Sequence, residues 1–125
     1  MLSWYDSNKR ILPWRESFDP YMIWISEVML QQTQVNTVIP YYIRWIKNYP
    51  TIKSVAKADI NSLLKLWEGL GYYSRCRNFH KSAKIVCEKY NAKIPNSWEA
   101  FRSLPGVGDY TAGAVLSIAF KKPFI

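Results

Sequence analysis

A chain of 125 residues is one domain, or part of a larger one, and suffices for a single hydrophobic core. Its hydrophobic share of 49%, with no low-complexity tract, excludes a disordered polyelectrolyte, and no apolar run approaches the roughly 18 residues of a membrane span. Seventeen Lys and Arg against nine Asp and Glu give +8, a surplus that favours a polyanionic partner such as nucleic acid, or an anionic membrane, for which nothing but charge speaks; simple solubility is the plainer account.

Residues 1–18 read as an irregular lead-in, with Leu12-Pro-Trp-Arg15 as an extended anchor. The opening lacks a basic segment followed by an apolar stretch, so it does not read as a signal peptide. Asp19-Pro20 is a helix start, because Asp can cap and Pro suits the first turn. The helix is predicted to run to about Gln32, with Tyr21, Trp24, Ile25, Val28 and Met29 as its apolar positions. A second helix spans roughly 34–48 and crosses or kinks at Pro40. Residues 52–58 form a short helical turn. Asp59 then caps a helix that buries Leu63, Leu64, Leu66 and Trp67, and Gly69-Leu-Gly71 breaks it.

The next helix, about 73–90, carries the stripe Cys76, Phe79, Ala83, Val86 or Cys87, and Tyr90. Arg75, Arg77, Lys81, Lys84 and Lys89 decorate its remainder. The positive charge is therefore concentrated in the second half of the chain. Cys76 and Cys87 are too few for a disulfide framework, a zinc site or an iron–sulfur site, and read as small apolar thiols in a reducing compartment. His80, the single His, has no partner motif and reads as a helix-surface or hydrogen-bonded residue. A short helix over 97–103 leads to a glycine hairpin and a last helix at about 109–120. No strand-like alternation persists and no repeat is visible. The expectation is an all-α helical bundle or barrel over 19–125. Lys122-Pro-Phe-Ile125 is neither a cap nor a charged tail, and the sequence reads as a fragment cut in mid-structure.

Leu104-Pro-Gly-Val-Gly108, followed directly by Asp109-Tyr-Thr-Ala-Gly-Ala-Val, carries chemistry. Gly106 and Gly108 allow a sharp turn and the close approach of a phosphate. Amides at the helix start then point at the anion, and such contacts fix DNA position without reading sequence. Leu104 and Val107 would anchor the hairpin. An ordinary glycine-containing turn between helices is the alternative. A dinucleotide site fits less well, because no hydrophobic strand precedes the segment. Glu27 lies within Met22-Ile-Trp-Ile-Ser-Glu-Val-Met-Leu30. A carboxyl group among apolar side chains should hold its proton near neutral pH, unless it occupies an exposed helix edge. Gln31 returns near the Glu27 face at about 100° per residue.

The chain resembles the adenine DNA glycosylases of the MutY type, within the helix–hairpin–helix (HhH-GPD) superfamily. The matching pieces are Leu12-Pro-Trp-Arg15, Trp24-Ile-Ser-Glu-Val-Met-Leu-Gln-Gln-Thr-Gln-Val35, Trp67-Glu-Gly-Leu-Gly-Tyr-Tyr-Ser-Arg75, Arg77-Asn-Phe-His80 and Leu104-Pro-Gly-Val-Gly108. The resemblance implies a base-excision repair enzyme in which Glu27 is the catalytic acid that protonates adenine. It sets Tyr110 where related glycosylase/lyases carry a Schiff-base Lys, which implies a monofunctional hydrolase; Tyr110 could also simply pack under the hairpin. It implies that Gln31 and Gln32 contact the lesion pair, that Trp14 and Arg15 belong to the adenine pocket, and that Leu70 and Tyr72 act as wedge and stacking residues. Core packing is the competing account of Leu70 and Tyr72.

The implied partner is double-stranded DNA with adenine opposite 8-oxoguanine or guanine, bound by a monomer that acts in a bacterial cytoplasm at the nucleoid. The family's second catalytic carboxylate, its four-cysteine iron–sulfur cluster and its 8-oxoguanine-recognition domain would lie beyond Ile125. The expectation is therefore no cofactor in this chain, weak DNA binding and little excision. A DNA-binding remnant without catalysis is the alternative. A thymine or oxidised-pyrimidine glycosylase is disfavoured by Glu27 and by the missing hairpin Lys.

Overall fold

The computed structural model describes residues 19–31 and 33–120, and every regular element among them is a helix. Trp14, Arg15 and Gln32 lie outside the described residues. Helix α1 spans Pro20–Leu30, and the Asp19 side chain accepts from the Tyr21 and Met22 amides, at 2.9 and 3.3 Å. Pro20 opens it as expected. The surprise is burial. Besides the five expected apolar positions, Ile23, Ser26 and Glu27 are also buried. A helix that is apolar all round belongs inside, and α1 is the central element, packed by α2, α5 and α7.

Helix α2, Val35–Asn48, continues through Pro40 and buries Val38, Tyr42 and Trp45 on one face. Helix α3, Ile52–Lys57, begins at a reciprocal Thr51–Ser54 capping box. Helix α4, Ile60–Trp67, buries Leu63 and Trp67, whereas Leu64 and Leu66 are only half-buried. Asp59 stands at its N-cap, but its side chain makes no capping bond; its backbone carbonyl starts the helix instead. Helix α5, Tyr73–Lys89, turns Cys76, Phe79, His80, Ser82, Ala83 and Val86 inward. Arg77, Lys81, Lys84 and Lys89 are exposed as expected, but Arg75 is turned inward and half-buried. Helices α6, Trp98–Arg102, and α7, Asp109–Phe120, flank the hairpin.

Aromatic rings join these helices. Trp24 of α1 meets Phe79 of α5 and Phe101 of α6 edge-on, with centroids 4.7 and 4.9 Å away. Trp45 of α2 meets Trp67 of α4 at 5.7 Å. Such contacts contribute about 0.5–1.5 kcal/mol each beyond the area they bury. Their polar atoms are satisfied: the Trp45 indole donates to the Tyr21 hydroxyl at 2.9 Å, which donates to the Tyr49 carbonyl. His80 is buried, and its Nε2 lies 3.0 Å from the Ala58 carbonyl, so α5 is tied to the end of α3. No helix among the described residues is long and apolar enough to cross a membrane.

Candidate active site and nucleic-acid interface

The site follows from α1 being central. The helices packed around it leave Glu27 only 3% exposed, at the floor of a cleft of about 600 Å³. Leu30, Gln31, the 33–36 segment and Tyr110 line the rest. Burial pushes the Glu27 carboxyl up to about 7, and the hydrogen bond it shares with Tyr110 pulls part of that rise back. The expectation of a poorly solvated acid thus holds, and the exposed-edge alternative does not. Tyr110 is half in solvent, so it does not pack under the hairpin. Burial and the adjacent Glu27 push its phenol up to about 12, which keeps it neutral. No Lys lines the cleft among the described residues.

The hairpin is held from three sides. Leu104 and Val107 are buried in the core. Ser82 of α5 donates to the Pro105 carbonyl at 2.8 Å. Arg102 pairs with Asp109 at 2.7 Å and donates to the Val107 carbonyl at 2.9 Å. Gly106 adopts φ +78, a conformation glycine favours, and a Cβ there would stand 2.8 Å from the Asn78 Cβ. Gly108 faces open space, where an added Cβ meets nothing within 4 Å. Beyond it, the first amides of α7 have no partner within their own helix, which suits an anion. Val107 takes the anchoring place that the sequence suggests, and its side chain is not offered to DNA. Its side chain is in the core and its amide donates to the Leu104 carbonyl, so it anchors the turn and leaves the phosphate to its neighbours.

The structure also separates the two wedge candidates. Leu70 is buried in the core cluster, so it is a packing residue and not an exposed wedge. Tyr72 is 61% exposed, with φ +50, directly before α5. A non-glycine residue held there costs about 1–3 kcal/mol and points to a functional demand. Gln31 donates to the Thr111 hydroxyl of α7 at 2.8 Å, so the glutamine segment and the hairpin helix are tied together. A smaller cleft of about 180 Å³, lined by Gln31, Arg75, Asn78, Pro105 and Gly106, joins the hairpin to the Glu27 side. The residue that sequence reasoning missed is Arg75, which reaches from α5 to the end of α1. Its only signal was its position closing the Gly-Leu-Gly-Tyr-Tyr-Ser-Arg segment.

Cys76 and Cys87 do not fit an iron–sulfur cluster. They stand about 16 Å apart along α5 at 1.5 Å per residue, and burial pushes the Cys76 thiol up to about 12, away from the thiolate a metal needs. No group of three or more His, Cys, Asp and Glu gathers among the described residues.

A family profile for the "HhH-GPD superfamily base excision DNA repair protein" matches residues 25–125. The chain is 50% identical over 121 residues to an adenine DNA glycosylase of Buchnera aphidicola, covering 96% of this chain and 34% of that protein. It is 48% identical to the human adenine DNA glycosylase, covering 96% of this chain and 24% of that protein. The chain thus spans about a third or less of these relatives. Among solved structures it resembles a thermostable thymine-DNA glycosylase, with TM-score 0.84 and 30% identity, over 97% of this chain and 56% of the other. It also resembles an endonuclease III trapped covalently on DNA, with TM-score 0.79 and 28% identity, over 84% of this chain and 50% of the other. The helices, the hairpin and the profile agree: this chain belongs to the HhH-GPD superfamily of base excision DNA repair proteins.

Proposed function

We propose that this chain is the DNA-gripping and base-protonating part of a monofunctional adenine DNA glycosylase. The observation that carries the reading is Glu27, a buried carboxyl group at the floor of an open cleft, beside Tyr110 and with no Lys in the lining among the described residues. Near neutral pH, a carboxyl titrating at about 7 is protonated in a large fraction of molecules. It donates that proton to a ring nitrogen of an extruded adenine. The N-glycosidic bond then breaks with its electron pair leaving on the base. Water adds to the sugar carbon and returns a proton to the Glu27 carboxylate. The neutral Tyr110 oxygen faces the positive charge that develops on the sugar, and the absence of a Lys from the cleft lining among the described residues disfavours the Schiff-base route. Gly106 and Gly108 with the first amides of α7 grip a phosphate, and Tyr72 enters the base stack. Gln31, and by resemblance Gln32, Trp14 and Arg15, complete the contacts with adenine opposite 8-oxoguanine or guanine. High identity to proteins named adenine DNA glycosylase supports adenine over thymine as the base. The protein works on double-stranded DNA as a monomer.

One observation favours a second reading, a module that binds DNA without catalysis. Glu27 is the single carboxylate lining the cleft among the described residues, so no second carboxylate among them faces the developing charge. The test compares the longest natural polypeptide carrying this sequence with its Glu27→Gln variant, on duplexes with adenine opposite 8-oxoguanine, guanine or thymine. The adenine reading expects excision from the first two and a loss of about 100-fold or more in the variant. Binding without excision selects the second reading. Excision unchanged by Glu27→Gln rejects the acid assignment.

A further inference from the structure

Arg75 makes contacts that the chemistry above does not use. Helix α1 ends at Leu30, and its last carbonyls lack the regular helical donors; the Gln31 amide reaches the Val28 carbonyl only at 3.3 Å. Arg75 supplies one from a residue 44 to 47 positions away. Its Nη1 donates to the carbonyls of Val28 at 2.8 Å, Met29 at 3.2 Å and Gln31. Its Nη2 reaches the Gly71 carbonyl at 3.3 Å and the Thr33 hydroxyl at 3.5 Å. The guanidinium carbon lies 5.5 Å from the ring centres of both Trp67 and Tyr72. Its Nε is buried without a partner, so the hydrogen bonds are concentrated on the two terminal nitrogens. One planar cation therefore touches the end of the Glu27 helix, the left-handed Gly71–Tyr72 turn, and the exposed Tyr72 ring itself.

We propose that Arg75 is a positioning residue that fixes Tyr72 relative to Glu27, so that entry of the tyrosine into the stack and delivery of the base to the acid occur as one movement. The proposal rests on the reading of Tyr72 as the DNA wedge. Its physical basis is rigidity. The carbonyl of Val28, one residue after Glu27, and the Tyr72 ring bear on the same guanidinium plane. A Lys keeps the positive charge but has neither the fork nor the stacking plane, so it cannot hold both. Small misplacements of reacting groups are costly in rate.

The test uses this chain, Arg75→Lys and Tyr72→Ala with a duplex that carries 2-aminopurine in place of the target adenine. Fluorescence anisotropy reads affinity, and 2-aminopurine brightening reads unstacking. Arg75→Lys is expected to bind within about threefold of wild type, because the hairpin grip is untouched. Its unstacking rate is expected to fall by about tenfold or more. Adding Tyr72→Ala to Arg75→Lys should lower it little further, because both changes break one connection. A folded Arg75→Lys that unstacks at the wild-type rate overturns the proposal. Absence of brightening with wild type removes the Tyr72 reading and the proposal with it. Circular dichroism reports whether Arg75→Lys folds. If it melts, the wild-type protein decides through its isotope-labelled guanidinium signals. These should be resolved by restricted rotation and should shift on duplex binding, but not in Tyr72→Ala. Averaged signals, or signals that ignore the duplex, contradict the coupling.

Discussion

Burial, not a charged neighbour, holds the proton on Glu27. Desolvation is the leading cause of its rise to about 7, and the Tyr110 hydrogen bond acts against it. This has a consequence for stability. The folded state holds the proton more tightly than the unfolded chain, whose Glu titrates near its ordinary value of 4.5. The stabilisation is fully present below about pH 4.5 and is lost as pH rises through about 7, a total of about 3 kcal/mol at 1.36 kcal/mol per unit. Glu27→Gln removes the titration and keeps the shape. Urea unfolding of the two proteins across this range should therefore diverge: the variant becomes the more stable one at about pH 8, and the gap closes towards about pH 5. Parallel stability curves would mean that Glu27 titrates as an ordinary surface carboxyl. The sequence made the acid visible, because its neighbours in Met22–Leu30 are apolar. It could not show Arg75 in the same way. Hydrogen bonds across more than forty residues have no local pattern, and a charge on an amphipathic helix reads by default as solvated.

At the level of the elements, the hairpin divides its glycines between fold and ligand. Gly106 sits at positive φ against the Asn78 side chain, whereas Gly108 faces open space. Gly106→Ala should cost about 2 kcal/mol or more, through both the left-handed backbone and the close approach to Asn78. Gly108→Ala should change stability by less than about 1 kcal/mol. On the proposed phosphate grip it should nevertheless weaken DNA binding, since its methyl group would fill the open space left for the phosphate. Thermal melts and anisotropy titrations of both variants check this, and equal melting losses would contradict the division. Helix positions were legible because Asp19-Pro20, the Gly69–Gly71 break and the hairpin punctuate the chain. Burial was less so. A helix enclosed on all sides shows no stripe, so Ile23 and Ser26 did not stand out in α1. Leu70 between two glycines reads alike whether it points inward or outward, and only packing assigns it to the core and leaves the exposed role to Tyr72. Asp59 had the right identity for a cap, yet its side chain makes no capping bond.

Across the whole molecule, these parts form one continuous surface. The small cleft joins the hairpin to Gln31 and Arg75, Gln31 is bonded to α7, and the larger cleft carries the path on to Glu27 and Tyr110. The arrangement depends on α1 being central, because only a helix packed by α2, α5 and α7 can bring an acid from one end of the chain to a Tyr from the other. The charge surplus is consistent with this, since Arg77, Lys81, Lys84 and Lys89 remain exposed on α5, whose Ser82 holds the hairpin. Everything in the account turns on the protonation state of one carboxyl group. The most direct measurement is an NMR titration of the isotope-labelled Glu27 side-chain carboxyl carbon, assigned by its loss in Glu27→Gln. The account predicts a midpoint of about 7, and a midpoint in the ordinary carboxylate range, near about 4, would contradict it.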